Sequence, residues 1–331
     1  MREQADHFYR TEREISRSDT PYKNRKVDLN QLYHYRGYGL NIGSQIELPW
    51  HVESKHNDPD ISIRNGKVPE ALESATETRG YFQVANGICL LNVQGVSRCL
   101  ISEGGREVLF AAEGNNRQSI IYILDSILAV CLHLRDVLAL NASAIATREG
   151  AVVFAGSAGI GKSTVVAALC DMGYPLVADG IVAVRKNDVS RPRVFCGFPQ
   201  IRLWTRSINT LQGIWSKNIQ MQIRPELESF LVSVPYFHGK DIPLHAVYVL
   251  VSKNLEKIDT KPLAPVRAVA RLIDLACRAH LLQGLGKGSG HFHNVTAIAR
   301  YSTVECLSLP VINCPPATLA EQISVRLPPP A

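Results

Sequence analysis

The stretch Gly156-Ser157-Ala158-Gly159-Ile160-Gly161-Lys162-Ser163, followed by Thr164, satisfies G-x-x-x-x-G-K-[ST] at every fixed position. Residues in this order are suited to holding phosphate. The glycines let the backbone curl until successive N–H groups point inward at anionic oxygens. A helix starting at the end of the loop adds the positive end of its dipole. Lys162 is then placed to reach the β- and γ-phosphates of a nucleoside triphosphate, and the Ser163 hydroxyl to take a position on Mg²⁺. The expected ligands are ATP and Mg²⁺. Four constrained positions match by chance about once in a hundred chains of this length, and the flanks argue against accident. The apolar run AVVFAG enters the loop, and a helix with a Val165, Val166, Leu169 stripe leaves it.

The surrounding elements must hold this loop. Residues 1–32 carry both signs of charge without apolar periodicity and read as a mobile polar arm. Residues 33–114 contain short alternating runs broken by Gly, Asn and Pro, such as YFQVANGICLLNVQG. They predict a smaller N-terminal domain rich in antiparallel strands. A helix bridges residues 115–138, with Asn115 or Asn116 as cap and Ile120, Ile123, Leu124, Ile127, Leu128, Cys131 and Leu134 at helical spacing. Residues 139–327 mix strands and helices around the loop, an α/β domain, and 328–331 form a Pro-rich tail. Within it, a helix is expected from the proline of APVRAVARLIDLACRAHLLQG to Gly284. VADGIVA reads as a strand turning at Asp179-Gly180, where Gly supplies positive φ.

Composition narrows the partners. The formal net charge is +6, and its excess lies between Arg185 and Arg206. Such a run is either a solvated edge or a surface for phosphate or an acidic peptide. Arg202, in IRLW, is likewise an exposed strand residue or a substrate or phosphate contact. The aromatic spacing matches no nucleic-acid module, so nucleic acid is not an expected partner. No apolar run reaches the roughly 18 residues of a membrane span, and the N-terminus lacks an apolar signal core; a cytoplasmic location is expected. None of the eight cysteines forms a CxxC pair, and most lie in apolar runs, which suits buried thiols. His291 and His293, two apart in GHFHN, could share one side of a strand, but no third metal ligand is near.

The core NASAIATREGAVVFAGSAGIGKSTVVAALCDMGYPLVADGIVAV resembles the HPr kinase/phosphorylase family. It is most similar to the small relatives found beside lasso-peptide and other peptide-modifying enzymes. The resemblance spans Tyr35 to Leu327, with the glycine loop and LVAD as its specific motifs. It implies an α/β P-loop kinase domain of the HPr kinase type and an ATP-dependent serine kinase. The acceptor would be a peptide or small protein, including a precursor peptide of a modification pathway, and homo-oligomers are known in the family. It also implies that Asp179 is the carboxylate near the γ-phosphate, acting as general base or on the metal side.

Three positions depart from the family pattern. The His expected fifteen residues before Gly156 is Asn141, which can orient a partner but cannot titrate. The second acid of the paired Asp motif is Gly180. Ser229 and Phe230 follow Glu228 where a basic residue is usual. These departures support a second reading, a weak or inactive nucleotide-binding relative that acts as a regulatory or assembly factor.

Overall fold

The protein is described by a computed structural model over residues 32–50, 58–113, 123–187, 190–211, 213–224, 228–255, 257–310 and 314–331. The expected arm, apart from Leu32, and the expected helix caps Asn115 and Asn116 lie outside the described residues.

Short alternating runs in the N-terminal third build one sheet. Its strands are β1 (Tyr33–Gly37), β2 (Leu40–Ser44), β3 (Ile61–Asn65), β4 (Glu77–Arg79), β5 (Phe82–Ala85), β6 (Ile88–Val93), β7 (Ser97–Ser102) and β8 (Glu107–Ala112). They lie in the order β1-β2-β3-β8-β7-β6-β5-β4. β7 buries every second residue, as a strand with one face on a core must. The sheet is not purely antiparallel as the sequence suggests, because β3 runs parallel to both β2 and β8. The connection over residues 45–60 is long enough to carry the chain back for a parallel pairing, which no tight turn could do.

Of the predicted bridging helix, the described part begins with a π turn and ends at Leu134, before the expected residue 138. A single π turn, Ile123–Ile127, leads into α1 (Leu128–Leu134). Every residue of α1 is buried, so the helix is enclosed on all sides and not on one stripe alone.

The second sheet contains β9 (Leu138–Thr147), β10 (Gly150–Ala155), β11 (Leu176–Asn187) and β12 (Ser190–Phe195). A third sheet is formed by β13 (Gln200–Trp204), β14 (Ile219–Arg224) and β15 (Ser229–Ser233). The second sheet is completed by β16 (Ile242–Lys253), β17 (Asp259–Pro262) and β18 (Thr303–Pro310), in the order β10-β9-β11-β12-β16-β18-β17. β10 also pairs in parallel with β16, so the loop-bearing strand has a neighbour on each edge. All six residues of β10 are buried, which explains its continuous apolar run. The helices are α2 (Lys162–Asp171), α3 (Thr205–Leu211), α4 (Ile214–Lys217), α5 (Pro265–Asp274), α6 (Gly288–Tyr301) and α7 (Pro316–Ser324).

Two sequence expectations are corrected here. Asp179 and Gly180 do not turn a hairpin: they lie inside β11, a single strand paired with β9 from Leu176 to Val184. Gly180 does take φ 82, so its freedom is used within the strand. The helix expected to reach Gly284 stops at Asp274. There the strand edge of β9 captures the backbone: Asn141 N–H donates to Leu275 O at 2.9 Å and Cys277 N–H to Ala139 O at 2.8 Å. Arg278 then adopts φ 56, which no helix continues.

Candidate functional site

The glycine loop joins β10 to α2 and opens onto a cleft of about 800 Å³. Its conformation depends on glycine at two places, Gly159 with φ 79 and Gly161 with φ 100. At Gly156 the demand is space: a Cβ there would lie 2.9 Å from Ile160 Cγ2 and 3.3 Å from Leu250 Cβ. Gly156 N–H donates to Asn141 O at 3.3 Å, so the residue at the expected histidine position anchors the loop through its backbone.

Lys162 is buried and curls back over the loop, its Nζ donating to Gly156 O and Ser157 O, each at 2.9 Å. Burial lowers its pKa from the ordinary lysine value, while the Asp179 carboxylate acts in the opposite direction. Among the described residues, the first-turn amides of Lys162, Ser163 and Thr164 meet no backbone acceptor. A buried ammonium beside a turn of unmatched N–H groups is a donor set for a polyanion. The residues present therefore fit a nucleotide's phosphates.

Asp179 is the other centre. Its Oδ1 accepts from Ser143 Oγ at 2.5 Å and Ser163 Oγ at 2.8 Å, and its Oδ2 accepts from the Arg202 backbone N–H at 2.8 Å. The register of β9 against β11 sets Ser143 directly opposite Asp179. A carboxylate offers about four lone-pair directions, so Asp179 is fixed by three bonds and can take one more partner. Sequence reasoning missed Ser143; the available signal was one hydroxyl inside the otherwise apolar run ASAIA.

Arg202 serves the cleft in a way its sequence context did not show. Its two Nη atoms grip Asp125 at 2.8 and 2.7 Å, one to each carboxylate oxygen. Burial works against the guanidinium charge, but Asp125 and then Asp179 outweigh it and hold the pKa above the usual arginine range. Asp125 sits in the π turn and lines the cleft. Its neighbour Ser126 accepts from Arg278 Nη2 at 2.6 Å, and the Arg278 guanidinium lies 5.3 Å from the Phe82 ring centroid. Asp125 and Arg278 were both missed. The signal for Asp125 was an acid interrupting the apolar helical pattern ILDSIL.

The remaining expected positions are as follows. Asn141 and Gly180 line the cleft with Asp179. Ser229 also faces it, and its buried hydroxyl meets no hydrogen-bond partner among the described residues. Thr164 Oγ1 lies 2.8 Å from Ser207 Oγ, tying α2 to α3. His291 and His293 are in α6, not a strand, where two residues' separation turns one ring inward and the other outward. Among the described residues no three His, Cys, Asp or Glu side chains cluster as metal ligands. All eight cysteines are free thiols, and burial pushes Cys89, Cys99, Cys131, Cys170 and Cys277 up to about 12.

No protein-family model matches the chain, and no curated protein matches it. Among solved structures, the Hpr(Ser) kinase/phosphatase from Coxiella burnetii aligns with 57% of this chain and 97% of its own. The identity is 16% and the TM-score 0.30. A likeness at that level assigns neither fold nor activity. No helix among the described residues is long and apolar enough to cross a membrane.

Proposed function

We propose that the cleft binds ATP with Mg²⁺ and that the protein transfers the terminal phosphoryl group to a serine hydroxyl of a peptide or small protein. A precursor peptide of a modification pathway belongs to that acceptor class. The observation that carries the reading is the 2.8 Å contact between Ser163, first hydroxyl after the loop, and the Asp179 carboxylate. Ser163 Oγ, whose proton goes to Asp179, would present its oxygen lone pairs to Mg²⁺ at the end of the phosphate cradle, and this cation needs few protein ligands when phosphates supply others. When bound, Mg²⁺ neutralises phosphate charge.

The chain's own residues supply the rest. Lys162 exchanges its two loop carbonyls for phosphate oxygens. The amides of the first turn of α2 orient the same group. Asp179, fixed by Ser143 and Arg202, has one direction left in which to receive the acceptor's proton. Transfer of this kind asks mostly for positioning and charge neutralisation.

The second reading, a nucleotide-dependent regulatory or assembly factor, is favoured by Asn141 and Gly180, neither of which can titrate. Mass spectrometry of serine-containing peptides after incubation with Mg-ATP separates the two. Lys162→Ala is expected to weaken nucleotide binding by about 10–100-fold, the worth of charged hydrogen bonds. Asp179→Asn is expected to bind nucleotide yet add no phosphate. Equal phosphate incorporation by Asp179→Asn and the natural protein would refute the kinase reading.

A further inference from the structure

Behind Asp179 the cleft extends into a small recess of about 40 Å³. Asp125, Asp179, Ile181 and Arg202 line both spaces, so the recess opens off the cleft at the proposed reaction centre. Its other walls come partly from the N-terminal sheet: Tyr38 from the β1–β2 turn and Trp50 beyond β2, against Phe198. Trp50 and Phe198 stack with ring centroids 3.7 Å apart, and Tyr38 meets Phe198 edge-on at 5.6 Å.

Tyr38 is held there at a cost. It takes φ 57, the left-handed region that a bulky residue rarely adopts. Its backbone N–H is fixed by Cys196 O at 2.6 Å, and Gly197 keeps clear the space that a Cβ would take 3.2 Å from the Tyr38 ring. The side chain is 5% exposed and lines the recess together with Asp179. A tyrosine so placed offers an apolar ring to the wall and a polar hydroxyl to a guest. Burial, then Asp125 and Asp179, raise its pKa well above the tyrosine range, so its hydroxyl acts only as a protonated donor or acceptor.

From this geometry we propose that the recess is the acceptor-alcohol site, and that Tyr38 orients a short aliphatic hydroxyl there against Asp179. The inference rests on the phosphoryl-transfer reading and adds where the acceptor sits and what limits its size. A water needs roughly 10–15 Å³ of such space, so the recess admits a group of two or three non-hydrogen atoms. A hydroxymethyl enters; a phenol ring does not. Tyr38 donates to the alcohol oxygen, leaving the alcohol proton to face the free direction on Asp179. That oxygen forms the new bond to the γ-phosphorus as the bond to the bridging oxygen breaks. The bonding pair leaves with ADP and the proton passes to Asp179.

The test uses the full chain, Mg-ATP and three pools of random-sequence peptides, each peptide carrying one hydroxyl residue, Ser, Thr or Tyr. Nucleotide binding is titrated separately with a fluorescent ATP analogue. Tyr38→Phe keeps the ring and its packing. It is expected to hold nucleotide within twofold of the natural protein and to lower phosphate incorporation into the Ser pool by about 10-fold, the worth of one hydrogen bond. Leu231→Phe, which fills the recess from β15, is expected to bind nucleotide and lose transfer. The Tyr pool is expected to stay unmodified. The proposal is overturned by full activity in Tyr38→Phe or by modification of the Tyr pool equal to the Ser pool. Absence of nucleotide binding by the natural protein, or binding without transfer to any pool, would instead remove the phosphoryl-transfer reading itself.

Discussion

Ser143 and Asp179 face each other across β9 and β11, and the serine hydroxyl donates to the carboxylate at 2.5 Å. The pairing places a wholly buried hydroxyl behind the acid that the cleft depends on. It fixes one oxygen of Asp179 and leaves the other to Arg202 N–H and to whatever enters the cleft.

Ser143→Ala should therefore leave nucleotide binding intact and lower phosphoryl transfer by about 10-fold, since one hydrogen bond holding the acid is lost. Parallel titration of nucleotide and measurement of phosphate incorporation would check it. An equal loss in both would place Ser143 in nucleotide binding.

The Arg202–Asp125 pair is about one-quarter exposed on each side, 27% and 29%, so its contribution is screened but not lost. Asp125→Asn is expected to cost about 1–2 kcal/mol, between the values for surface and buried pairs. Chemical denaturation of Asp125→Asn, Arg202→Gln and the double variant forms a cycle. A coupling below about 0.3 kcal/mol, within ordinary additivity, would show that the pair is not a positioning element.

Gly180 tests backbone against space. A Cβ there would touch nothing within 4 Å, so any cost of Gly180→Ala comes from φ 82 alone. The expected loss is about 1 kcal/mol or more, with Gly180→Asn costing less because asparagine tolerates the left-handed region. Thermal melting of the two variants distinguishes them; equal melting temperatures would contradict the backbone account.

His133 gives the protein a pH-dependent stability. Its Nε2–H donates to Cys277 O at 2.7 Å, and burial first of all lowers its pKa to about 4, with His291 adding to the effect. The unfolded state binds the extra proton first as pH falls. Stability is therefore full above the unfolded value near 6.5 and declines through the interval down to about 4, at up to ~1.4 kcal/mol per pH unit. Burial lowers His291 in the same direction. Between pH 5 and 6.5, above the main carboxylate range, His133→Gln should melt with a flatter pH dependence. An unchanged slope would assign the effect elsewhere.

How much of this was legible beforehand depends on how local the determinant is. The glycine loop was fully legible, because its chemistry lies in eight consecutive residues whose types fix both the backbone and the donors. β10 and α2 followed from the apolar run and the helical stripe that flank it. Asp179 was found only through the resemblance of LVAD. On local grounds Asp-Gly read as a turn, and β11 continues because β9 pairs with it on both sides of Gly180.

The sequence by itself determined that this chain carries a phosphate cradle between a buried strand and a helix. Those are nearest-neighbour properties of φ, burial period and donor order. Only the tertiary structure decided what faces the cradle. Ser143 and Asp125 reach Asp179 and Arg202 from 36 and 77 residues away, and Arg278 reaches Ser126 across 152. The break that brings Arg278 there occurs where β9 exchanges hydrogen bonds with Leu275 and Cys277, just after α5. Tyr38 enters from another sheet altogether. Such meetings depend on which strand edges are left to pair and which carboxylates lie opposite, and a local pattern holds no record of them.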